Sequence, residues 1–415
     1  MSTSGKSRLP NWLRAARNPD FRKVWVLSTL PQFGYWFCSI AFQWLVAQET
    51  GNDPIVLGVL YFAMLLPILL FSLPAGVLAD RLDRRVILGI TQLATVIIGI
   101  FTALLLWRSE PDLWVVLSCG FAVGTAHSFA TPASAALVAN SVPASDLQSA
   151  IPLQAMGMNV ARMLGPALAG AIIFLGGTAQ SLLLYAAMGA LGLLVLSRVP
   201  LLQPRTVAKQ STSVLQQTRE GFRHAGQHPP AALALAIVGV CSIFGASYLA
   251  QLPVLAANSS NSASAFMLLT SAGGLGSLIG VFLVATRGSG RPSVTSPGLM
   301  LLIMGIAVAL LGHGPPLVFE MILIGVAGGL QFGIMTTCNR VIQQVVKDSY
   351  RGRVMSLYAI TWGGFLPLGG LWLGLLIGLT GLTFAFTING IVAMGFALWV
   401  LRPGTHRTGK ASFEF

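Results

Sequence analysis

The sequence is short of charge. Only 9% of its 415 residues are Asp, Glu, Lys or Arg, against about 25% in soluble domains. With 54% hydrophobic residues and a mean hydropathy of +0.76, a water-soluble fold of this size could not bury its apolar surface, so lipid must be the solvent for much of it. Acids are scarcer still: 12 against 25 basic residues, a net charge of +13. Cysteine is nearly absent. Cys38, Cys119, Cys241 and Cys338 each stand alone in an apolar stretch. Without a Cys-x-x-Cys pair, neither a zinc nor a redox site is expected, and the four read as small buried hydrophobes. The first twenty residues are basic and polar and lack the apolar core of a cleavable signal. The glycine-rich stretches lack the lysine of a phosphate loop. No enzyme class, cofactor or metal is therefore indicated, and ATP hydrolysis by this chain is not expected.

What remains is a series of long apolar runs, each near the roughly 20 residues that a spanning helix needs. They cover about 24–48, 55–79, 86–107, 113–138, 148–175, 180–198, 231–256, 263–286, 295–312, 316–341, 354–378 and 381–401. Unbroken runs point to helices, since barrel strands would alternate in short segments. The 46 glycines suit close helix packing in lipid. Placing the N-terminus in the cytoplasm puts 23 of the 25 basic residues in the N-terminal arm, the even-numbered turns and the tail. Only Arg108 lies on the other side, and only Arg162 lies inside a span. Such alternation is the positive-inside signal, and one span more or fewer would scramble it. The positive charge is thus a record of topology, and nucleic-acid binding is not expected. Residues 199–229 are polar and basic, with prolines at both ends. Within them Val214–His224 is expected to form a short amphipathic surface helix. The expected organisation is an N-terminal unit of six spans (1–198), a cytoplasmic linker (199–229) and a C-terminal unit of six (230–415), a transporter architecture.

The turn after the second span reads Gly76-Val-Leu-Ala-Asp80-Arg81-Leu-Asp83-Arg84-Arg85. It resembles the signature loop of the major facilitator superfamily. Gly165-Pro166-Ala-Leu-Ala-Gly170 partly resembles the exporter motif of that superfamily, with Ala169 replacing one glycine. Proline and glycine there allow bending and close packing. Asn159-Val-Ala-Arg162-Met-Leu-Gly165-Pro166, Glu220-Gly-Phe-Arg-His and Arg351-Gly-Arg-Val-Met-Ser-Leu-Tyr358 are similar to the bacterial exporter branch of enterobactin-type siderophore exporters and macrolide efflux proteins. The resemblance runs from Asn18 to about Leu401. It implies an all-α membrane protein of twelve transmembrane helices in two six-helix bundles, the major facilitator fold. It also implies a cytoplasmic charge network of Asp80 with Arg84 or Arg85 that braces the bundles when the cavity faces outward. Gly76, Asn159, Arg162, Gly165 and Pro166 join that gating set. Asp83 stands where the family keeps a glycine.

Two charges fall within the spans, Arg162 and Glu320. Each costs roughly 2.5–3.5 kcal/mol at a helix centre, so each is a functional candidate. Arg162 is expected to hold Asn159 or backbone carbonyls, or else to attract an anion. Glu320 is either a proton carrier or a helix cap. His127, with Thr131 and Ser134 on its face, is a second proton-coupling candidate. An acid in the middle of helix 1, frequent in drug/proton antiporters of the superfamily, is missing. Family architecture places helices 1, 4, 7 and 10 around the path, which implicates Gln32, Tyr35, Trp36, Ser39 and Gln43, then Phe244, Tyr248 and Gln251, then Gln331. Amides and aromatics suit a medium-sized, partly polar solute, although the same groups serve as bonds between helices. The sequence reads as a monomeric exporter of a small siderophore or drug-like molecule in a bacterial inner membrane. Both termini are expected in the cytoplasm, lipid surrounds the chain, and the proton gradient is the expected drive. A nutrient importer and a non-transporting sensor or assembly factor on the same scaffold stay open.

Overall fold

The structure, a computed structural model, describes residues 11–108, 112–200, 223–259, 262–286 and 293–402. The linker helix expected at Val214–His224 lies almost wholly outside the described residues, as do Glu220, Arg287 and Arg291. All regular structure among the described residues is helical. After a 3₁₀ turn at Asn11–Arg17, the chain forms α1 (Pro19–Glu49), α2 (Pro54–Arg81), α3 (Arg84–Arg108), α4 (Leu113–Asn140), α5 (Leu147–Gly176) and α6 (Thr178–Ser197). It continues as α7 (Pro229–Ser259), α8 (Ala263–Thr286), α9 (Thr295–Leu311), α10 (Leu317–Val345), α11 (Asp348–Thr380) and α12 (Leu382–Leu401).

Ten of these helices are long and apolar enough to cross a membrane. Helix α9 is apolar but shorter. Helix α1 is long enough at 31 residues, but its own Gln32, Ser39 and Gln43 dilute its apolar character. Leu175 and Leu379 are 82% and 80% exposed, an arrangement suited to lipid. The few acids begin helices. Asp53 accepts the amides of Ile55 and Val56, Asp112 that of Trp114, and Asp83 that of Arg85. Each satisfies amides that the first helical turn leaves without an internal partner. That explains Asp83: it caps α3, where the family pattern has a glycine.

Several helices overrun their apolar cores. Helix α10 continues to Val345 and α11 starts at Asp348, so Arg340, Arg351 and Arg353 sit on helical turns and not in a loop. Backbone hydrogen bonding carries a helix past the residues that lipid requires, and hydropathy cannot see this. Helix α7 differs more. It is α-helical at Pro229–Val240, then a π turn at Cys241–Gly245, then 3₁₀ at Ser247–Gln251, before closing as α-helix at Leu252–Ser259. The break is pinned from α12, where Asn389 donates to Ser247 Oγ at 2.9 Å and accepts from Trp372 Nε1 at 3.0 Å.

Packing repeats along the chain. The pairs α2 with α4 and α3 with α6 recur six helices later as α8 with α10 and α9 with α12. The one-residue turns joining α5 to α6 and α11 to α12 also match: Gly177 (φ 96°, ψ 173°) and Gly381 (φ 88°, ψ 163°). Only glycine holds that backbone region without strain.

Candidate functional site

The first six helices meet the last six chiefly through α2 on α11 and α5 on α8. Contact is closest toward the end where α2 begins and α11 finishes. A β-carbon added at Gly58 would lie 2.9 Å from the carbonyl oxygen of Gly370, and one at Gly370 would lie 2.6 Å from the ring of Tyr61. Gly374 faces the carbonyl of Pro54, Gly274 that of Met163, and a β-carbon at Gly170 would come within 2.6 Å of Thr270 Oγ1. Trp44 stacks on Phe266 at 5.0 Å, and Gln251 Nε2 donates to the Pro54 carbonyl at 3.0 Å. Toward the opposite end, a β-carbon added at Gly76 of α2 or Gly352 of α11 would meet nothing within 4 Å among the described residues. Asn159, one turn before Arg162 in that direction, is exposed. Among the described residues, glycine-mediated backbone approaches join the two halves at one end and none joins them at the other.

At mid-depth, below the seal, several of the sequence-derived residues come together. Arg162 of α5 lies 5.8 Å from the ring centre of Phe332 in α10 and 5.9 Å from that of Trp362 in α11. His127 of α4 stacks on Tyr35 of α1 at 4.3 Å, and Tyr35 meets Trp36 edge-on at 5.9 Å. Tyr35, His127 and Tyr358 are near enough to Arg162 to interact with it electrostatically. Trp36 reaches its place because Gly165 is bare: a β-carbon there would sit 2.7 Å from Trp36 Cβ. Gln32 is half-buried and Gln331 buried at a similar depth. Thr131 donates to the carbonyl of His127 at 2.9 Å. A cavity of about 280 Å³, mouth included, adjoins His127 and Tyr35 and is lined also by Gln92, Thr95 and Tyr185.

Other residues from the sequence lie elsewhere. Gln43 and Tyr248 are buried nearer the seal, with Gln43 Oε1 and the Tyr248 hydroxyl unpartnered among the described residues. Gln251 belongs to the seal itself. Glu320 is buried in the first turn of α10, where Ser259 Oγ donates to its carboxylate. Pro166 follows Gly165 inside α5. Asp80 ends α2 one residue before Arg81, and Arg84 and Arg85 open α3 with their Nε atoms buried and unpartnered among the described residues. The four cysteines are free and buried.

Nothing in the sequence marks Phe332, Tyr358 and Trp362 as site residues. Tyr358 and Trp362 stand four apart on one face of α11, a visible pattern, but an aromatic pair in a core helix looks the same. Their relation to Arg162 is a property of three helices together.

A bundle of long apolar helices, paired in two repeating sets and closed at one end over a polar-aromatic chamber, has the fold of a major facilitator transporter. The chain belongs to the transmembrane secretion effector family of that superfamily, whose model matches residues 13–407. It is therefore a membrane transporter and not an enzyme. Its relatives include the staphyloferrin A transporter of Staphylococcus aureus (strain NCTC 8325 / PS 47), 25% identical across 86% of this chain and 89% of that one. Macrolide efflux protein A of Streptococcus pyogenes is 22% identical across 91% of this chain and 94% of that one. Among solved structures, the fold matches a bacterial homologue of the human lysosomal transporter Spinster, inward-facing and occupied (TM-score 0.70, 15% identity, 91% of this chain and 96% of that one). It also matches the nucleoside transporter NupG (TM-score 0.68, 15% identity, 92% and 98%).

Proposed function

We propose that this chain exports a small organic molecule, of siderophore or drug-like size, across a bacterial inner membrane by alternating access and proton antiport. In this reading it crosses the bilayer twelve times as a monomer, with both termini cytoplasmic. Two six-helix bundles, 1–198 and 230–415, are joined by the linker 199–229. The observation that carries the reading is the asymmetry of the chamber, which is sealed by glycine-mediated backbone approaches where α2 meets α11 and lacks them at the other end among the described residues. Under the positive-inside orientation the seal faces out and the mouth faces the cytoplasm, the state in which an exporter loads. Relatives that carry a siderophore and a macrolide favour efflux over nutrient import.

The parts then take roles. Gln32, Tyr35, Trp36 and Gln331 contact cargo at mid-depth, and Gln43, Tyr248 and Gln251 join them as the seal opens. Gly165 and Pro166 let α5 bend against α1. Asp80 with Arg84 and Arg85 forms the latch of the opposite, outward-open state. Asn159 lies at the mouth beside it. Glu320 or His127 carries the proton.

Purified protein in proteoliposomes tests this. With an imposed pH gradient, staphyloferrin A or a macrolide should move against the proton flow. Glu320→Gln should sever flux from the gradient. If coupling persists in Glu320→Gln and is lost in His127→Gln, the proton role passes to His127. Asp80→Asn should slow flux while insertion stays normal. No gradient-driven flux of either compound by well-folded protein would overturn the exporter reading.

A further inference from the structure

We infer that the cargo docks through a carboxylate or similar planar oxyanion on Arg162, flanked by the faces of Phe332 and Trp362. This rests on the transporter reading and narrows it to a substrate class. A guanidinium stays charged under all physiological conditions, and at mid-depth it is costly unless something compensates it. Within the protein little does. Phe332 and Trp362 offer only their ring faces, at 5.8 and 5.9 Å. Glu320, the acid buried in a described span, belongs to the first turn of α10 and is engaged by Ser259. Twelve residues of helix, about 18 Å at 1.5 Å per residue, separate it from Phe332, so it cannot serve as the counter-charge. The remaining neighbours do not serve either. Tyr358, Tyr35 and His127 are phenols and an imidazole, which can accept a hydrogen bond but supply no negative charge.

The counter-charge is therefore supplied from outside the protein, and the chamber is open to receive it. Arg162 is only half-buried, unlike its α5 neighbours Ala161 and Met163. A planar, five-donor guanidinium matches a carboxylate with two parallel hydrogen bonds. Two aromatic walls beside it suit a flat or apolar flank on the same molecule. An amine at this point would meet a fixed like charge in a low-dielectric chamber and be repelled.

The test uses two probes with one ring system and opposite charge, 1-naphthoate and 1-naphthylmethylammonium. Binding is measured by equilibrium dialysis on the full chain in lipid nanodiscs. Wild type should hold the acid and not the amine. Arg162→Gln should weaken the acid roughly tenfold or more, the size of one charge-assisted hydrogen bond, and Arg162→Lys should lose less. Trp362→Leu should weaken naphthoate but leave a non-aromatic acid, tricarballylate, unchanged, which a merely structural role of Trp362 would not do. The proposal is overturned if wild type holds the amine as well as the acid, holds neither at millimolar concentration, or if a monodisperse Arg162→Gln protein holds naphthoate undiminished. Gradient-driven flux of an amine cargo by the same protein would leave the exporter reading standing and remove this one.

Discussion

Single residues do the fine positioning here, and most do so by being small or by standing alone. Gly165 is the clearest case, because its missing side chain is the space that Trp36 occupies. Gly165→Ala should push the two helices apart and lower stability by about 1–3 kcal/mol, the usual cost of overpacking. Transport should fall with it, and a thermal melt beside a flux assay would separate the two losses. At the end of the molecule that we assign to the cytoplasm, His224 stacks on Tyr350 at 4.1 Å and meets His228 edge-on at 4.7 Å. Burial, then the charges of His228 and Lys347, hold its pKa below the ordinary histidine value. The unfolded chain therefore binds this proton more readily than the folded one. The stability contributed is complete above about pH 6.5 and is lost as pH falls through the lower folded value. His224→Phe, which keeps a ring on Tyr350, should flatten the acid side of a melting-temperature profile; an unchanged profile would exclude the role.

Elements carry the repeat. Gly177 and Gly381 make the same turn in equivalent places, with φ of 96° and 88°. Alanine at either should cost about 1–3 kcal/mol through backbone strain alone, with closely similar losses at both sites. A large difference between them would show that the two turns are not equivalent. The break in α7 is the other decisive element. Asn389 ties it to α12 and through Trp372 to α11, so Asn389→Leu should cost about 0.6–1.7 kcal/mol, the range for hydrogen bonds between membrane helices. Its effect on flux should exceed that of a distant lipid-facing change such as Ile391→Ala. The existence of these helices was legible in the apolar runs. The break at Cys241–Gln251 was not, because apolar composition is continuous through it. A π turn comes from packing: the carbonyls of Ser242 and Ile243 lie against the bare surface of Gly369 in a different helix.

For the whole molecule, the alternating access proposed above requires that the seal can open. The seal is built from backbone approaching backbone at Gly58, Gly370, Gly374, Gly170 and Gly274. Gly374→Leu should therefore prop it open. The expected result is loss of flux, together with new labelling of a cysteine placed at Gln43 by a membrane-impermeant thiol reagent from outside the cell. Labelling unchanged from wild type would mean that the seal lies elsewhere.

The sequence by itself determined the solvent, the helical class and the place of the two rare charges within the spans. Each of these depends on the water-to-lipid transfer cost of single residues, and that cost is local and additive along a helix. It also carried enough motif to identify the family. Only the tertiary structure decided which residues share a chamber. Gln43 and Gln32 belong to one stripe of α1, yet Gln43 is buried near the seal and Gln32 is only half-buried. Arg162, conspicuous as a charge, acquires its aromatic walls from helices far along the chain. Neighbours across helices depend on packing angles and on where glycines let backbones touch, and these are set by the whole bundle and not by any one segment.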